Sequence, residues 1–155
     1  MGSLETKNPP GPADQMKRVA RRLFAERGVD GVTVREIAAA AGQRNHGAVG
    51  YHFGSKEELV RELIRDGAIL IDDRRNAALD LMESQGGPHT VREVVALLVQ
   101  TAIGLEPDGQ SEDSYTRFVT LLGMSHRSLF LAALEGKWNS GFQRCLDHLR
   151  RLMPD

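Results

Sequence analysis

The sequence predicts an all-α fold, and three observations predict it. Apolar residues recur three and four apart in successive segments, Thr/Ser-x-x-Glu capping patterns mark helix starts, and no stretch alternates apolar and polar residues as a strand does. There is no internal repeat either, so the chain reads as a small helical head followed by a helical bundle.

Asn8-Pro9-Pro10-Gly11-Pro12 lacks the backbone donors for regular structure, so residues 1–12 read as a flexible tail. Asp14 is the expected first cap. Met16, Val19, Ala20, Leu23 and Phe24 then share one helical face as far as Gly28. Thr33-Val34-Arg35-Glu36 has the form of a capping box and starts a short helix that turns Val34, Ile37, Ala38 and Ala41 inward. Gly42 ends it, because glycine tolerates the positive φ of a sharp turn. Gln43 to Phe53 reads as the next helix, with Arg44, Asn45 and His46 near its start and Val49 and Phe53 packed inward.

Ser55-Lys56-Glu57-Glu58 has the form of a second capping box and opens a long linking helix through Leu59, Leu63, Ile71 and Ala78 to about Ser84. Gln85-Gly86-Gly87-Pro88 breaks it. Beyond the break, Val91, Val94, Val95 and Leu98 form a stripe closed by Gly104 and Pro107, and 108–113 is an expected polar loop. Tyr115, Phe118, Val119 and Leu122 repeat the pattern before Gly123. The last segment, from about Ser125 to Met153, spaces Leu131, Leu134, Trp138, Phe142, Cys145, Leu149 and Leu152 three or four apart.

Charge is unevenly placed along the chain. The net charge is −1, yet residues 1–56 carry +4 and residues 57–155 carry −5. A basic front and an acidic back suit a nucleic-acid face joined to a body that stays off it, although solvated surfaces give similar splits. No apolar run approaches the roughly 20 residues of a membrane helix, and Met1 to Pro12 has no apolar centre of a secretory signal. With the lone Cys145, these features lead to the expectation of a cytoplasmic protein whose cysteine is a packing residue.

His46, His52, His89, His126 and His148 show no metal spacing, and neither a phosphate loop nor a nucleophile elbow is present. The expectation is therefore no enzymatic activity, no cofactor and no metal. A helix, a short capped helix, a glycine turn and a polar-faced helix instead have the order of a DNA-binding helix-turn-helix. In a major groove about 12 Å wide, Arg44 suits guanine, Asn45 or Gln43 suits adenine, and His46 suits a base edge or a phosphate.

Thr33-Val34-Arg35-Glu36-Ile37-Ala38, Ala41-Gly42 and Tyr51-His52-Phe53-Gly54-Ser55-Lys56-Glu57-Glu58-Leu59 resemble the signature of TetR-family regulators, over roughly Val19 to Leu63. The resemblance implies a DNA-binding head over 13–56 and an effector-binding and dimerisation body over 57–155, with a linking helix at about 55–84. It implies a homodimeric transcriptional regulator, a repressor released from its double-stranded operator by a small molecule. It also implies phosphate contacts from Thr33 and Lys56, and base contacts from Arg44, Asn45 and His46, with Tyr51 and His52 beside them. Two departures stand out. The stretch between Gly42 and Tyr51 is one residue longer than the commonest pattern, and Gly50 falls where an aromatic phosphate contact is usual, with Tyr51 as its substitute.

Plainer roles remain open for many of these residues. Thr33 and Ser55 serve as caps with or without DNA, Tyr51-His52-Phe53 also reads as a packed hinge, and Lys17, Arg18, Arg21 and Arg22 also read as a solvated face. In the body, Tyr115, Phe118, Met124, His126, Trp138 and Phe142 are the candidate lining of a pocket for an apolar effector, or else simply core. Family members continue with a further dimerising helix pair. The body is thus short for the family: either Leu131 to Leu152 supplies a smaller subunit contact, or the chain is a C-terminally shortened form, a helical ligand-binding or interaction module with weak DNA binding.

Overall fold

The computed structural model describes residues 9–105 and 114–153, and all regular structure among them is helical. The expected loop over 108–113 lies outside the described residues.

Helix α1 spans Pro12–Arg27. Its cap is Gly11 in extended conformation rather than Asp14; Pro12 occupies the first turn, where its fixed φ suits a helix and its missing N–H costs nothing, and Asp14 lies near the positive helix end. Gly28, at φ 74°, closes the helix by donating its N–H to the Phe24 carbonyl. Helix α2, Val34–Ala40, has a complete capping box: Glu36 N–H donates to Thr33 Oγ1 over 3.2 Å, and Thr33 N–H donates to Glu36 Oε2 over 2.7 Å.

Helix α3 covers only Ala48–Phe53, so the expected helix from Gln43 loses its first five residues to a turn. The cause is local. Asn45 Oδ1 accepts the Gly47 N–H at 2.8 Å, a side-chain substitute for a backbone turn, and Gly47 has poor helix propensity.

Helix α4, Lys56–Ser84, starts and ends where the sequence predicts. Ser55 Oγ accepts the Glu58 N–H at 3.1 Å, but the Glu58 carboxylate lies 3.5 Å from Arg61 Nε, so the cap is one-sided rather than a full box. Helix α5, Val91–Gln100, begins with a complete Thr90/Glu93 capping box that the sequence reading did not pick out. Its inward residues are Val94 and Leu97, whereas Val91 and Val95 are exposed, so the buried face is rotated from the expected stripe.

Helix α6, Ser114–Ser125, runs through Gly123. The segment expected to be continuous from Ser125 to Met153 divides into α7, Arg127–Leu134, and α8, Ser140–Leu152. Positive φ at Glu135 (50°), Gly136 (67°) and Trp138 (54°) makes the corner.

One apolar cluster joins head and body. Met16, Phe24, Ile37, Val49, Leu59 and Leu63 belong to it together with Phe118 and Leu122 of α6. The Phe24 and Phe118 rings stack at 5.9 Å between centroids, and burying either ring is worth about 1.5–3 kcal/mol. A smaller cluster of Leu79, Val94, Leu97 and Cys145 closes the far end, and burial pushes the Cys145 thiol pKa up. No described helix is long and apolar enough to cross a membrane.

Candidate nucleic-acid interface

The head presents two unlike sides. Ile37, Ala38, Ala41, Ala48, Val49 and Phe53 are buried and fix α2 and α3 on α1 and α4. Arg35, Arg44, Asn45, His46, Tyr51 and His52 are exposed, and Tyr51 keeps 84% of its surface. Arg35, Arg44 and His46 make no hydrogen bond or ion pair with any described residue. The Tyr51 and His52 rings meet edge to face at 5.0 Å, which holds both at the end of α3.

The turn between the two helices positions Arg44, Asn45 and His46 ahead of α3 rather than along it. Gly42 at φ 71° reverses the chain, and Gln43 N–H donates to the Ala38 carbonyl at 2.9 Å. Ala48 N–H donates to the Asn45 carbonyl at 3.1 Å. Asn45 is thus anchored twice. One lone pair of its Oδ1 is used in the turn, while its amide N–H donors and second lone pair remain for an outside partner.

Thr33 and Lys56 carry structural duties. The Thr33 hydroxyl accepts from Glu36 N–H and donates to Glu36 Oε2 at 2.9 Å. The Lys56 ammonium donates to the carbonyls of Val29 (3.0 Å) and Val32 (3.1 Å), tying the start of α4 to the loop ahead of α2. Two of its three protons are therefore used, and one remains. Arg27 Nη1 lies 2.9 Å from Glu36 Oε1. The Thr33 N–H and this guanidinium hold the Glu36 carboxyl pKa down at about 2.

Among the flanking cations of α1, Lys17 pairs with both Glu62 and Asp66 of α4 at 2.9 Å. Arg18 and Arg22 are exposed and make no ion pair with a described residue. Arg35, which the sequence reading did not single out, joins them. The available signal was its position next to Val34 on a helix whose other face is apolar.

The body contains a cavity of about 320 Å³. Ala68, Ile71 and Arg75 of α4 form one wall, Tyr115 and Val119 of α6 a second, and Phe130, Leu131 and Leu134 of α7 a third. The corner from Gly136 to Asn139, Trp138 included, completes the lining. Tyr115 and Trp138, two of the six expected pocket residues, therefore line this space.

The other four lie elsewhere. Phe118 is buried against Phe24, Met124 keeps 81% of its surface, and Phe142 is partly exposed with its ring centroid 5.9 Å from the Arg75 guanidinium. His126, at the cap of α7, reaches the head: its Nε2 lies 2.9 Å from Asp30 Oδ2 in the loop between α1 and α2. Arg75 was missed in the sequence, although Ala68, Ile71 and Arg75 follow the three-and-four spacing of one helical face.

Residues 18–63 match the family model for bacterial regulatory proteins, tetR family. The HTH-type transcriptional repressor KstR2 of Mycolicibacterium smegmatis is 37% identical over 76 residues, which is 49% of this chain and 37% of the relative. The HTH-type transcriptional repressor AcnR of Corynebacterium efficiens is 49% identical over 49 residues, 32% of this chain and 26% of the relative. The chain thus spans less than two fifths of these relatives' lengths. The fold likeness reaches further. The TetR family transcriptional regulator PfmR of Thermus thermophilus superposes with a TM-score of 0.59 over 90% of this chain and 74% of PfmR, at 21% identity. The capped α2, the turn and α3 all lie within the matched stretch, so residues 18–63 are similar to the tetR family of bacterial regulatory proteins.

Proposed function

We propose that the chain is a sequence-specific DNA-binding transcriptional repressor whose head, over about 13–56, enters a major groove with the turn before α3 and with α3 itself. The observation that carries this reading is the unpartnered polar set Arg44 and His46, beside Asn45 and Tyr51, on a motif whose underside is fully packed. The packed underside matters because a backbone already fixed pays no ordering cost of its own when its side chains bind. The two relatives, both transcriptional repressors, support the same reading.

In this reading Arg44 donates two N–H groups to guanine, while Asn45 and His46 contact neighbouring base edges or phosphate. Tyr51 and His52 take phosphates, as do the free third proton of Lys56 and the edge of the Thr33 cap. Two copies related by a two-fold axis place two heads on half-sites one helical turn apart.

A small-molecule effector in the body at 57–155 shifts the chain to a shape whose heads no longer match the operator. The connections for this exist. Helix α4 runs from the Ser55 cap to the cavity wall, while the Phe24–Phe118 stack and the His126–Asp30 pair join α1 and its following loop to α6 and α7. An effector that reverses the population from 1:99 to 99:1 must prefer one shape by about 5.5 kcal/mol.

The test is selection of duplexes from a random-sequence pool by the purified chain, with the mass of the complex measured in parallel. Enrichment of a two-fold symmetric sequence bound by two copies is the expected result. Recovery of unenriched DNA, or equal weak binding to every duplex, contradicts the reading.

A further inference from the structure

The body cavity is mainly apolar, yet the charged residues among its described lining are cations, Arg75 on the α4 wall and Lys137 at the corner. Arg75 is half-buried, and its bonds go to uncharged acceptors: Nε donates to Thr101 Oγ1 at 3.1 Å and Nη2 to the Leu98 carbonyl at 3.4 Å. No carboxylate among the described residues lies within ion-pair distance of its guanidinium. Asp72, the acid whose field reaches it, is committed elsewhere: Oδ1 accepts Gly141 N–H at 2.7 Å and Oδ2 accepts the Ser140 hydroxyl at 2.8 Å at the start of α8.

Arginine keeps its charge when buried, and a half-buried cation without an anion is costly. The desolvated state is visible in its lowered pKa, for which burial is the first cause. Holding the end of α5 does not fully account for this cost. Arg74 already donates to the carbonyls of Ile103 and Gly104, both at 3.2 Å, and Arg75 still has an Nη1 group that no described residue accepts from.

From the unpaired Arg75 on an otherwise apolar cavity we infer that the body binds a small apolar carboxylate, with the acid group on Arg75 and the hydrocarbon between Ile71, Val119, Leu134 and Trp138. The inference rests on the effector reading above and names the chemical class of that effector. The cavity volume of about 320 Å³ lies at the lower end of the roughly 300–1,000 Å³ of small-molecule sites, which suits one short chain or ring system. Lys137, whose Nζ lies 5.9 Å from the Trp138 ring centroid, is already paired with Glu135 at 3.2 Å, which leaves Arg75 as the cation without an anion.

Trp138 is the only tryptophan of the chain, so its emission reports this site alone. The full chain is titrated with decanoate, decan-1-ol and decylamine, which share one tail and differ in head group. Decanoate is expected to bind about tenfold more tightly than the alcohol, equivalent to about 1.4 kcal/mol, with the amine weakest. In Arg75→Met the preference for decanoate over the alcohol disappears, while Arg75→Lys retains part of it. If the methionine variant does not fold, the three head groups on the unaltered chain still decide. Equal affinity for all three, or preference for the amine, overturns the carboxylate inference and leaves an effector pocket standing. No binding of any of them overturns the inference and the pocket reading together. Decanoate binding that leaves operator affinity unchanged supports the inference and contradicts the effector role.

Discussion

Glu36 shows how much one exposed side chain can do when several donors converge on it. Its carboxylate completes the α2 capping box and meets Arg27, and its pKa falls from 4.5 to about 2, first through the Thr33 N–H. A depressed carboxyl pKa contributes stability that is fully present above the unfolded value and is lost as pH falls through the folded one. The head should therefore weaken between about pH 4.5 and pH 2. Glu83 and Glu93 are lowered as well, by His148 first and by the His89 N–H first, so they contribute the same sign. The urea midpoint should fall between pH 6 and pH 3, and Glu36→Gln should shrink that fall; an unchanged fall in the variant means the capping box does not set the acid response.

Gly67 acts by absence. The Tyr115 ring lies where a Gly67 Cβ would stand, and its hydroxyl donates to the Ile64 carbonyl at 3.0 Å. Gly67→Ala should cost about 1–3 kcal/mol through overpacking at the α4–α6 contact. Gly123→Ala is the matched control on α6, since nothing lies within 4 Å of a Cβ there, and it should gain up to about 1 kcal/mol from helix propensity. Thermal unfolding of both variants checks the pair, and destabilisation of the two alike would refute the packing argument.

The elements differ in how plainly the sequence announces them. Helices α1, α2 and α4 were legible because an apolar stripe and a start or stop signal agree in each. The start of α3 was not, because the Asn45 side chain competes for backbone N–H groups that periodicity alone assigns to a helix. The break between α7 and α8 was hidden for a related reason: two of its three positive-φ residues, Glu135 and Trp138, are not glycine. On α5 the expected stripe held at Val94 but not at Val91 and Val95, which stand outward, because the tertiary contacts with α4 and α8 choose the side.

Two changes test the head at this scale. Gly50 lies in α3 with nothing within 4 Å of an added Cβ, so Gly50→Ala should raise head stability by about 0.5–1 kcal/mol, read from the thermal midpoint. Lys56→Met leaves the Val29 and Val32 carbonyls without their charged donor, and each lost hydrogen bond to a charged group costs about 1.5–3 kcal/mol. That variant should unfold earlier even without DNA; unchanged stability would free Lys56 for a phosphate role alone.

Across the whole molecule, the head and body share a core rather than meeting through a hinge. Phe24, Phe118, Ile64 and Leu122 lie in one cluster, and the His126–Asp30 pair crosses the same junction. None of this could be read along the chain, because Asp30 and His126 are 96 positions apart and no local pattern pairs them. The cavity is of the same kind: Arg75, Val119 and Trp138 converge only through the packing of α4, α6 and the corner after α7. The exposed set from Arg44 to His46 was legible as a candidate because a local motif carries it; the long-range contacts between head and body were not.

In the proposed function, the exposed set around Arg44 reads base sequence. The direct test titrates the chain and Arg44→Ala, at several salt concentrations, against a selected duplex and a shuffled one of equal length. Arg44→Ala is expected to lose about 1–3 kcal/mol on the selected duplex and to change little on the shuffled one, with a similar salt slope for both proteins. Equal losses on the two duplexes would show that Arg44 meets only phosphate and would contradict that reading.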